Sequence, residues 1–300
     1  MDYAEEKYLA CKKVVDDESL NFKVMNSLED RLRLLGSGLQ VLEIGSGIGS
    51  MLERLIERDI LPSEVSYTAV EIDEKKVEIG EMRLKEFAKN NGYDICKNGD
   101  KLKLDKKEKN IIIDFQNADA FDFIQNQSKN YDLLIAHAFL DLVDIDDALP
   151  LLFSKLKSDA LFYFPITFDG VTTFRPQVDP VLDRKIERIY HESMAQRDQG
   201  YLMGGNSKTG RQLFDHLNNK KSKIISAGSS DWVIYPGENG YSEGVPYFLH
   251  YIVNLVKNSV ENSDKIPVEK LERWADIRHR QIENEELFYI AHQLDIFGKV

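Results

Sequence analysis

The sequence predicts an α/β protein built on a doubly wound, mostly parallel sheet. Strand-like apolar segments alternate with helical patterns four times between residues 39 and 165, and such alternation builds βαβ units. One segment, Tyr131-Asp132-Leu133-Leu134-Ile135-Ala136, is almost continuously apolar, as a strand covered on both faces must be. Three glycines, Gly45, Gly47 and Gly49, stand between the first strand and its helix, where a backbone that approaches a ligand is free of a Cβ.

The elements follow in order. Residues 1–38 read as acidic and helical, with Asp16-Asp17-Glu18-Ser19 capping a helix whose apolar face is Leu20, Val24, Leu28 and Leu32 and which ends at Gly36 and Gly38. Leu39, Val41, Leu42 and Ile44 give a first strand, and Met51, Leu52, Leu55 and Ile56 give a helix over 50–59. That helix stops near Leu61-Pro62, because the residue before proline avoids the helical region. Val65–Val70 is β-branched and aromatic and forms a second strand, followed by a helix over 73–90. Residues 93–104 predict a hairpin turning on Asn98-Gly99, read as an elaboration outside the core. Ile111–Phe115 is a third strand and 131–136 a fourth. A helix over 145–157 leads to a fifth strand, Ala160–Phe164. After Pro165 the pattern blurs into a helix over 181–197, a helix over 207–219 and a strand over 223–226. Residues 232–235 extend that strand or pair beside it, two amphipathic helices within 246–283 split near Pro267, and 287–296 forms a last strand.

Composition excludes several classes. The 300 residues carry a net charge of -12, without the general electrostatic footprint of a nucleic-acid binder. The lysines at 101, 103, 106, 107 and 109 read as a solvated loop. At 42% hydrophobic residues the chain supports a sizeable core in one large or two small domains. Met1–Glu6 lacks an apolar signal core, and no apolar run approaches the roughly 18 residues that span a bilayer. Cys11 and Cys96 match no metal spacing, and His279 and His292 belong to no ligand pattern. The expectation is a reduced, cytoplasmic protein without metal and away from the membrane, its oligomeric state open.

The turn at Gly45 locates the ligand. A dinucleotide fingerprint spaces its glycines G-x-G-x-x-G or A around a pyrophosphate. Here the spacing is Gly45, Gly47, Gly49, with Ser50 next, and Glu43 precedes the turn. A carboxylate there repels a pyrophosphate and suits a ligand carrying an ammonium and a sulfonium. The run Val41–Ser50 resembles the first motif of class I S-adenosylmethionine-dependent methyltransferases. Ala69-Val70-Glu71-Ile72-Asp73 resembles their second. Glu71, 26 positions after Gly45, is placed to accept both ribose hydroxyls. Asp119, in Asn117-Ala118-Asp119-Ala120, corresponds to the acidic residue that meets the adenine amino group in that family, and also suits a plain helix cap. His137 ends the fourth strand, where it is either a proton acceptor for the nucleophile or a packing residue beside the cofactor.

The resemblance covers residues 41–165. It implies S-adenosylmethionine as cofactor, S-adenosylhomocysteine as product, and a seven-stranded sheet whose last strand, 289–298, is antiparallel. The cofactor site expected from it comprises Glu43, Gly45, Ser46, Gly47, Gly49, Glu71, Ile72, Asp119, Ala120 and His137. The domains expected are a helical segment at 1–38, a cofactor-binding core at 39–165 and a cap insertion at 166–206. A core continuation at 207–236, a helical cap insertion at 237–287 and a final strand at 288–300 complete the chain. Asp17 and Asn21 are candidates for an N-terminal lid or for ordinary capping. Arg175, Tyr190, His191, Arg197, Tyr201 and Arg211 crowd the middle region, as grips for an anionic or aromatic acceptor or as surface residues. The activity implied is methyl transfer by in-line displacement to a small-molecule acceptor. The chain contains no Asp/Asn-Pro-Pro-aromatic tetrad, which argues against the amino-methylating nucleic-acid enzymes that carry it. A protein or RNA methyltransferase with a local binding face is the nearest alternative. An NAD-linked oxidoreductase, disfavoured by Glu43 and the glycine spacing, and a cofactor-binding protein without turnover are the others.

Overall fold

A computed structural model describes residues 4–195 and 204–300. Two helices open the chain, α1 (Glu5–Ser19) and α2 (Phe22–Leu35). The cap of α2 is Asn21, whose side chain accepts from the Val24 amide at 3.2 Å. The expected cap, residues 16–19, is instead the last turn of α1. Its carboxylates are drawn into ion pairs, Asp16 with Lys12 and Asp17 with Lys13 and Arg54.

The strands are β1 (Leu39–Ile44), β2 (Glu64–Glu71), β3 (Asp94–Asn98), β4 (Lys101–Lys106), β5 (Lys109–Asn117), β6 (Tyr131–Ala136), β7 (Leu156–Arg175), β8 (Lys223–Ser229), β9 (Trp232–Ile234) and β10 (Phe288–Lys299). Between them run α3 (Ser50–Glu57), α4 (Glu74–Asn90), α5 (Ala120–Asn126), α6 (Ile145–Phe153), α7 (Pro180–Met194), α8 (Thr209–Asn219), α9 (Val245–Glu261) and α10 (Val268–Glu283). They form one sheet in the order β3-β4-β5-β2-β1-β6-β7-β10-β8, with β9 also paired to β10. The neighbours from β5 to β7 are parallel. β10 runs antiparallel to β7 and to β8, so β8 runs with the parallel set. The core is therefore seven strands, β5-β2-β1-β6-β7-β10-β8, with the last in sequence reversed, as the sequence led us to expect. β9 continues β8 along the same strand, pairing with Tyr289–Ala291 where β8 pairs with Leu294–Lys299.

Three elements differ from expectation. The hairpin β3–β4 is part of the sheet, because β4 pairs antiparallel with β5 and buries Leu102 and Leu104. α6 stops at Phe153 instead of 157, because β7 already begins at Leu156. β7 continues ten residues beyond Phe164 and Pro165, and residues 167–175 pair with 288–294 of β10. The proline is absorbed where the register shifts between Leu294 and Ile296, a device that spares a ladder its missing N–H. The first ten residues of the expected cap, 166–175, thus belong to the sheet. The end of the expected helix 181–197 lies outside the described residues.

Both faces of the sheet are covered. Val41, Tyr67, Leu133 and Ile135 pack under α2, α3 and α4, while Leu42, Ile44, Leu134, Phe162 and Phe164 pack against α5, α6 and α8. Strand alternation assigns these sets to opposite faces. The projecting ends of β7, β9 and β10 carry a roof made of α1, α7, α9 and α10. Phe174 meets Trp274 edge-on at 5.5 Å, and Trp232 meets Phe248 at 5.1 Å. The lysines expected in a solvated loop lie on β4 and β5 and the turn between them, and two that are half-buried are matched by acids, Lys101 by Asp114 at 2.7 Å and Lys109 by Asp59 at 2.6 Å.

The roof is held by a buried charge pair. Asp183 of α7 accepts from Trp274 Nε1 at 2.8 Å and from Arg278 Nη2 at 2.8 Å, both on α10. Arg278 is 0% exposed and Asp183 2%. Removing one partner of such a pair strands the other without water. Asp183→Ala is therefore expected to lower the unfolding free energy by about 3–5 kcal/mol in chemical denaturation; a loss below about 1 kcal/mol would show that the pair does not hold the roof.

Candidate active site

In an open α/β sheet, ligands bind at the carboxyl ends of the strands where the strand order reverses. Here that point lies between β1 and β6. The turn leaving β1 passes through three left-handed glycines, Gly45, Gly47 and Gly49, with φ of 66°, 54° and 78°. Each serves a different need. A Cβ on Gly45 would lie 2.6 Å from the Phe139 ring. Gly49 is the residue before α3, and a Cβ there would lie 3.8 Å from the Gly80 Cα of α4. A Cβ on Gly47 would point into open space, meeting only the Leu9 Cδ1 at 4.0 Å.

Glu71, at the end of β2, holds this turn. Its Oε2 accepts from the Gly47 amide at 2.8 Å and its Oε1 from the Asp73 amide at 3.2 Å. The Gly47 N–H, which in a phosphate-binding turn would meet the anion, is already engaged by a carboxylate. Asp119, past β5, caps α5 by accepting from the amides of Phe121 and Asp122 through Oδ1 at 2.8 and 3.1 Å, while facing the same space. The hydroxyl of Ser46 is buried there without a protein partner.

These residues line a cavity of about 460 Å³. Gly45, Ser46, Gly47, Glu71, Ile72, Asp119, Ala120 and His137 all form its wall. Gly49 supports the turn from behind. Glu43 departs from expectation. It is 1% exposed and absent from the cavity wall, and its carboxylate accepts from the Tyr67 hydroxyl at 2.6 Å. The period of two in a strand puts Glu43 on the face of Val41, under α3, and only Leu42 and Ile44 on the other. The negative charge that faces a ligand comes from Glu71 and Asp119 instead.

His137 stands at the end of β6 with its ring in the cavity. Its Nε2 is 3.1 Å from Asp16 Oδ2 of α1, though out of line for a hydrogen bond. Burial pushes the imidazole down to about 4, with the Lys12 ammonium adding to the effect. Burial alone would raise the Asp16 carboxyl, but Lys12, His137 and Arg54 hold it below the usual carboxylate range. Asp16 also accepts from Trp232 Nε1 at 3.0 Å. The site thus offers a neutral imidazole beside an ionised carboxylate.

The sequence reading missed this arm of the site. Tyr8, Leu9, Lys12 and Asp16 line the cavity from one face of α1, a spacing of four that was available as a signal. The expected lid residues sit elsewhere: Asp17 pairs with Lys13 at 2.9 Å and with Arg54, and Asn21 caps α2 and donates to the Ser229 carbonyl at 2.8 Å. Of the middle-region candidates, Tyr190 lines the cavity. Arg175 donates to the Phe174 carbonyl at 3.3 Å, Arg211 pairs with Asp169 at 2.8 Å, and His191 borders a separate outer groove. Arg197 and Tyr201 lie outside the described residues. Trp232, Tyr251, Tyr289 and Gln293 complete the far wall. Among the described residues no three His, Cys, Asp or Glu side chains gather as metal ligands, and no helix is long and apolar enough to cross a membrane.

Glu43 generates a prediction with a definite sign. Burial raises its carboxyl to about 7 against the Tyr67 bond. As pH climbs from about 4.5, the unfolded chain ionises Glu43 while the folded chain keeps its proton until about pH 7, so stability is lost across that window. Glu43→Gln keeps an acceptor for Tyr67 and cannot ionise. Its unfolding free energy relative to the native chain is expected to rise by up to about 3 kcal/mol between pH 4 and pH 8; a difference independent of pH would contradict the burial of this carboxyl.

No family model matches the chain, and no curated protein sequence matches it. Among solved structures it is similar to an S-adenosylmethionine-dependent methyltransferase of Geobacter sulfurreducens in complex with S-adenosyl-L-homocysteine, at 13% identity and a TM-score of 0.47, over 94% of this chain and 92% of that one. A methyltransferase of Thiobacillus denitrificans in the same complex shows 12% identity and a TM-score of 0.47 over 94% and 93%. A geranyl diphosphate methyltransferase bound to GPP and sinefungin shows 10% and 0.42 over 91% and 76%. At these values the fold rests on the strand order itself. Seven core strands with the reversed strand β10 between β7 and β8 make this a class I methyltransferase-like fold, the sheet that the motifs at 41–50 and 69–73 imply.

Proposed function

We propose that the protein is an S-adenosylmethionine-dependent methyltransferase that acts on a small molecule in the cytoplasm. The observation that carries this reading is the Glu71 carboxylate, fixed by the Gly47 and Asp73 amides at the mouth of an open glycine turn. A carboxylate accepts about four hydrogen bonds. Two are taken by the backbone, and the two that remain suit a pair of vicinal hydroxyls. Asp119, Ala120 and Ile72 border the place for the base, and the open side of Gly47 admits the amino-acid part. A diphosphate is disfavoured there, because Glu71 already occupies the Gly47 amide.

A cofactor held by Glu71, Asp119 and the Gly45–Gly47 turn would supply an activated methyl group on a positively charged sulfur, which would leave as a neutral thioether. The protein's part is alignment and exclusion of water. His137, neutral at pH 7, takes the proton released by an acceptor that begins as O–H or N–H, and the Asp16 carboxylate beside it stabilises the imidazolium. The far half of the cavity lies under α1, α7 and α9, which favours an acceptor small enough to be enclosed.

Calorimetry tests the reading directly. S-adenosylhomocysteine is expected to bind and NAD is not. Glu71→Ala should weaken S-adenosylhomocysteine by about 1–3 kcal/mol, the range for hydrogen bonds to a charged group. Gly47→Val should abolish binding, since the side chain would fill the open space that Gly47 faces. Unchanged affinity in both variants, or stabilisation by NAD alone, would contradict the assignment.

A further inference from the structure

Beyond His137 the cavity enters a chamber walled by Tyr8, Phe168, Tyr190, Trp232, Tyr251 and Tyr289. Tyr8 and Tyr251 stack with ring centres 4.0 Å apart. Burial holds the Tyr8 and Tyr289 hydroxyls well above 10, so both remain neutral. Lys12 and Asp16, which reach the chamber, are paired with each other. Of the other charged residues of the wall, Glu5 pairs with Lys76 at 2.8 Å, Glu71 and Asp119 stand at the ends of β2 and β5, and Asp141 follows β6.

One polar side chain in that wall is unmatched. Gln293 of β10 is 2% exposed and lines the cavity in line with Tyr289 and Ala291. Its backbone is fully engaged, the amide donating to Asp231 at 3.1 Å and the carbonyl accepting from Ser230 at 2.9 Å. Its carboxamide is not. Oε1 is buried without a partner, and the amide nitrogen has no protein acceptor among the described residues. Exchanging the two ends of the carboxamide leaves the same count, one donor and one acceptor unmade. Leaving such a group unmade in a dry site is costly, and a strand interior flanked by aromatic residues has no structural use for it.

We propose that Gln293 reads the methyl acceptor, and that the acceptor is a flat, aromatic molecule whose edge presents a hydrogen-bond donor beside an acceptor. The ring is held between the aromatic walls, where stacked and edge-on contacts favour planar partners. The carboxamide pairs with the edge, and a site built to make such bonds rejects an analogue that lacks them. The proposal rests on the methyltransferase reading of this cavity and adds to it the class of the second ligand.

The test uses two probes of similar size on the full-length protein, with and without saturating S-adenosylhomocysteine: 2-quinolone and naphthalene. 2-Quinolone is expected to bind at least tenfold more tightly than naphthalene. Gln293→Leu is expected to remove that margin, leave naphthalene as tight or tighter, leave S-adenosylhomocysteine affinity unchanged, and raise the unfolding midpoint of the ligand-free protein by removing the unpaired amide. Should naphthalene equal 2-quinolone on the native protein, the proposal is overturned, whatever becomes of the variant. Equal 2-quinolone affinity in native and variant proteins overturns it too. A protein that prefers 2-quinolone but takes no S-adenosylhomocysteine would lose the cofactor assignment and keep the chamber; one that takes S-adenosylhomocysteine without that preference would lose the chamber alone.

Discussion

The bond from the Gly47 amide to Glu71 is the constraint on which the site depends. It spans two strands, β1 and β2, whose parallel register pairs Ile44 with Val70 and so brings Glu71, the last residue of β2, level with the turn after β1. A hydrogen bond to an ionised acceptor is worth about 1.5–3 kcal/mol, enough to hold a turn with three left-handed residues in one shape. It also sets the sign of the site. The amide that would welcome an anion is spent on a carboxylate, and the same carboxylate is turned toward the cavity with half its lone pairs unused. Shape and charge at this turn are one decision made by one side chain.

A second layer of the design lies in strand length. β7 and β10 run past the ends of their neighbours and pair with each other as far as Arg175 and Phe288. That excess carries β9 and a platform for α7, α9 and α10. α1 closes the remaining side and is tied back to the core by Lys13 with Glu57 at 3.1 Å and by Glu5 with Lys76 at 2.8 Å. The same helix delivers Asp16 to His137 and Tyr8 to the aromatic wall. The chamber therefore exists only because three distant stretches of chain, 5–19, 180–194 and 245–261, meet over one end of the sheet.

This explains what the sequence disclosed and what it withheld. Residues 41–165 were legible because each signal is local: an apolar strand, a glycine turn, an acid at the next strand end. The extension of β7 was not, since Thr167, Asp169, Thr172 and Thr173 give it no apolar run and its partner is more than 100 residues away in Phe288–Leu294. Glu43 misled because its neighbour in sequence is the glycine turn while its neighbour in space is Tyr67. Strand alternation already implied that it points away from the side chains of Leu42 and Ile44. Asp16 was missed by one position in favour of Asp17, a rotation of about 100° on a helix. Gln293 carries no signal in its sequence surroundings at all. Its significance is a buried carboxamide oxygen without a partner among the described residues, which only the folded arrangement reveals.

A crystal structure of the protein grown with S-adenosylhomocysteine would test the central claim most directly. The account predicts ribose hydroxyls on the Glu71 carboxylate, the Glu71 bond to the Gly47 amide intact, and the sulfur facing His137 and the aromatic chamber. A nucleoside bound away from Glu71, or a turn rearranged so that the Gly47 amide is released from that carboxylate, would contradict it.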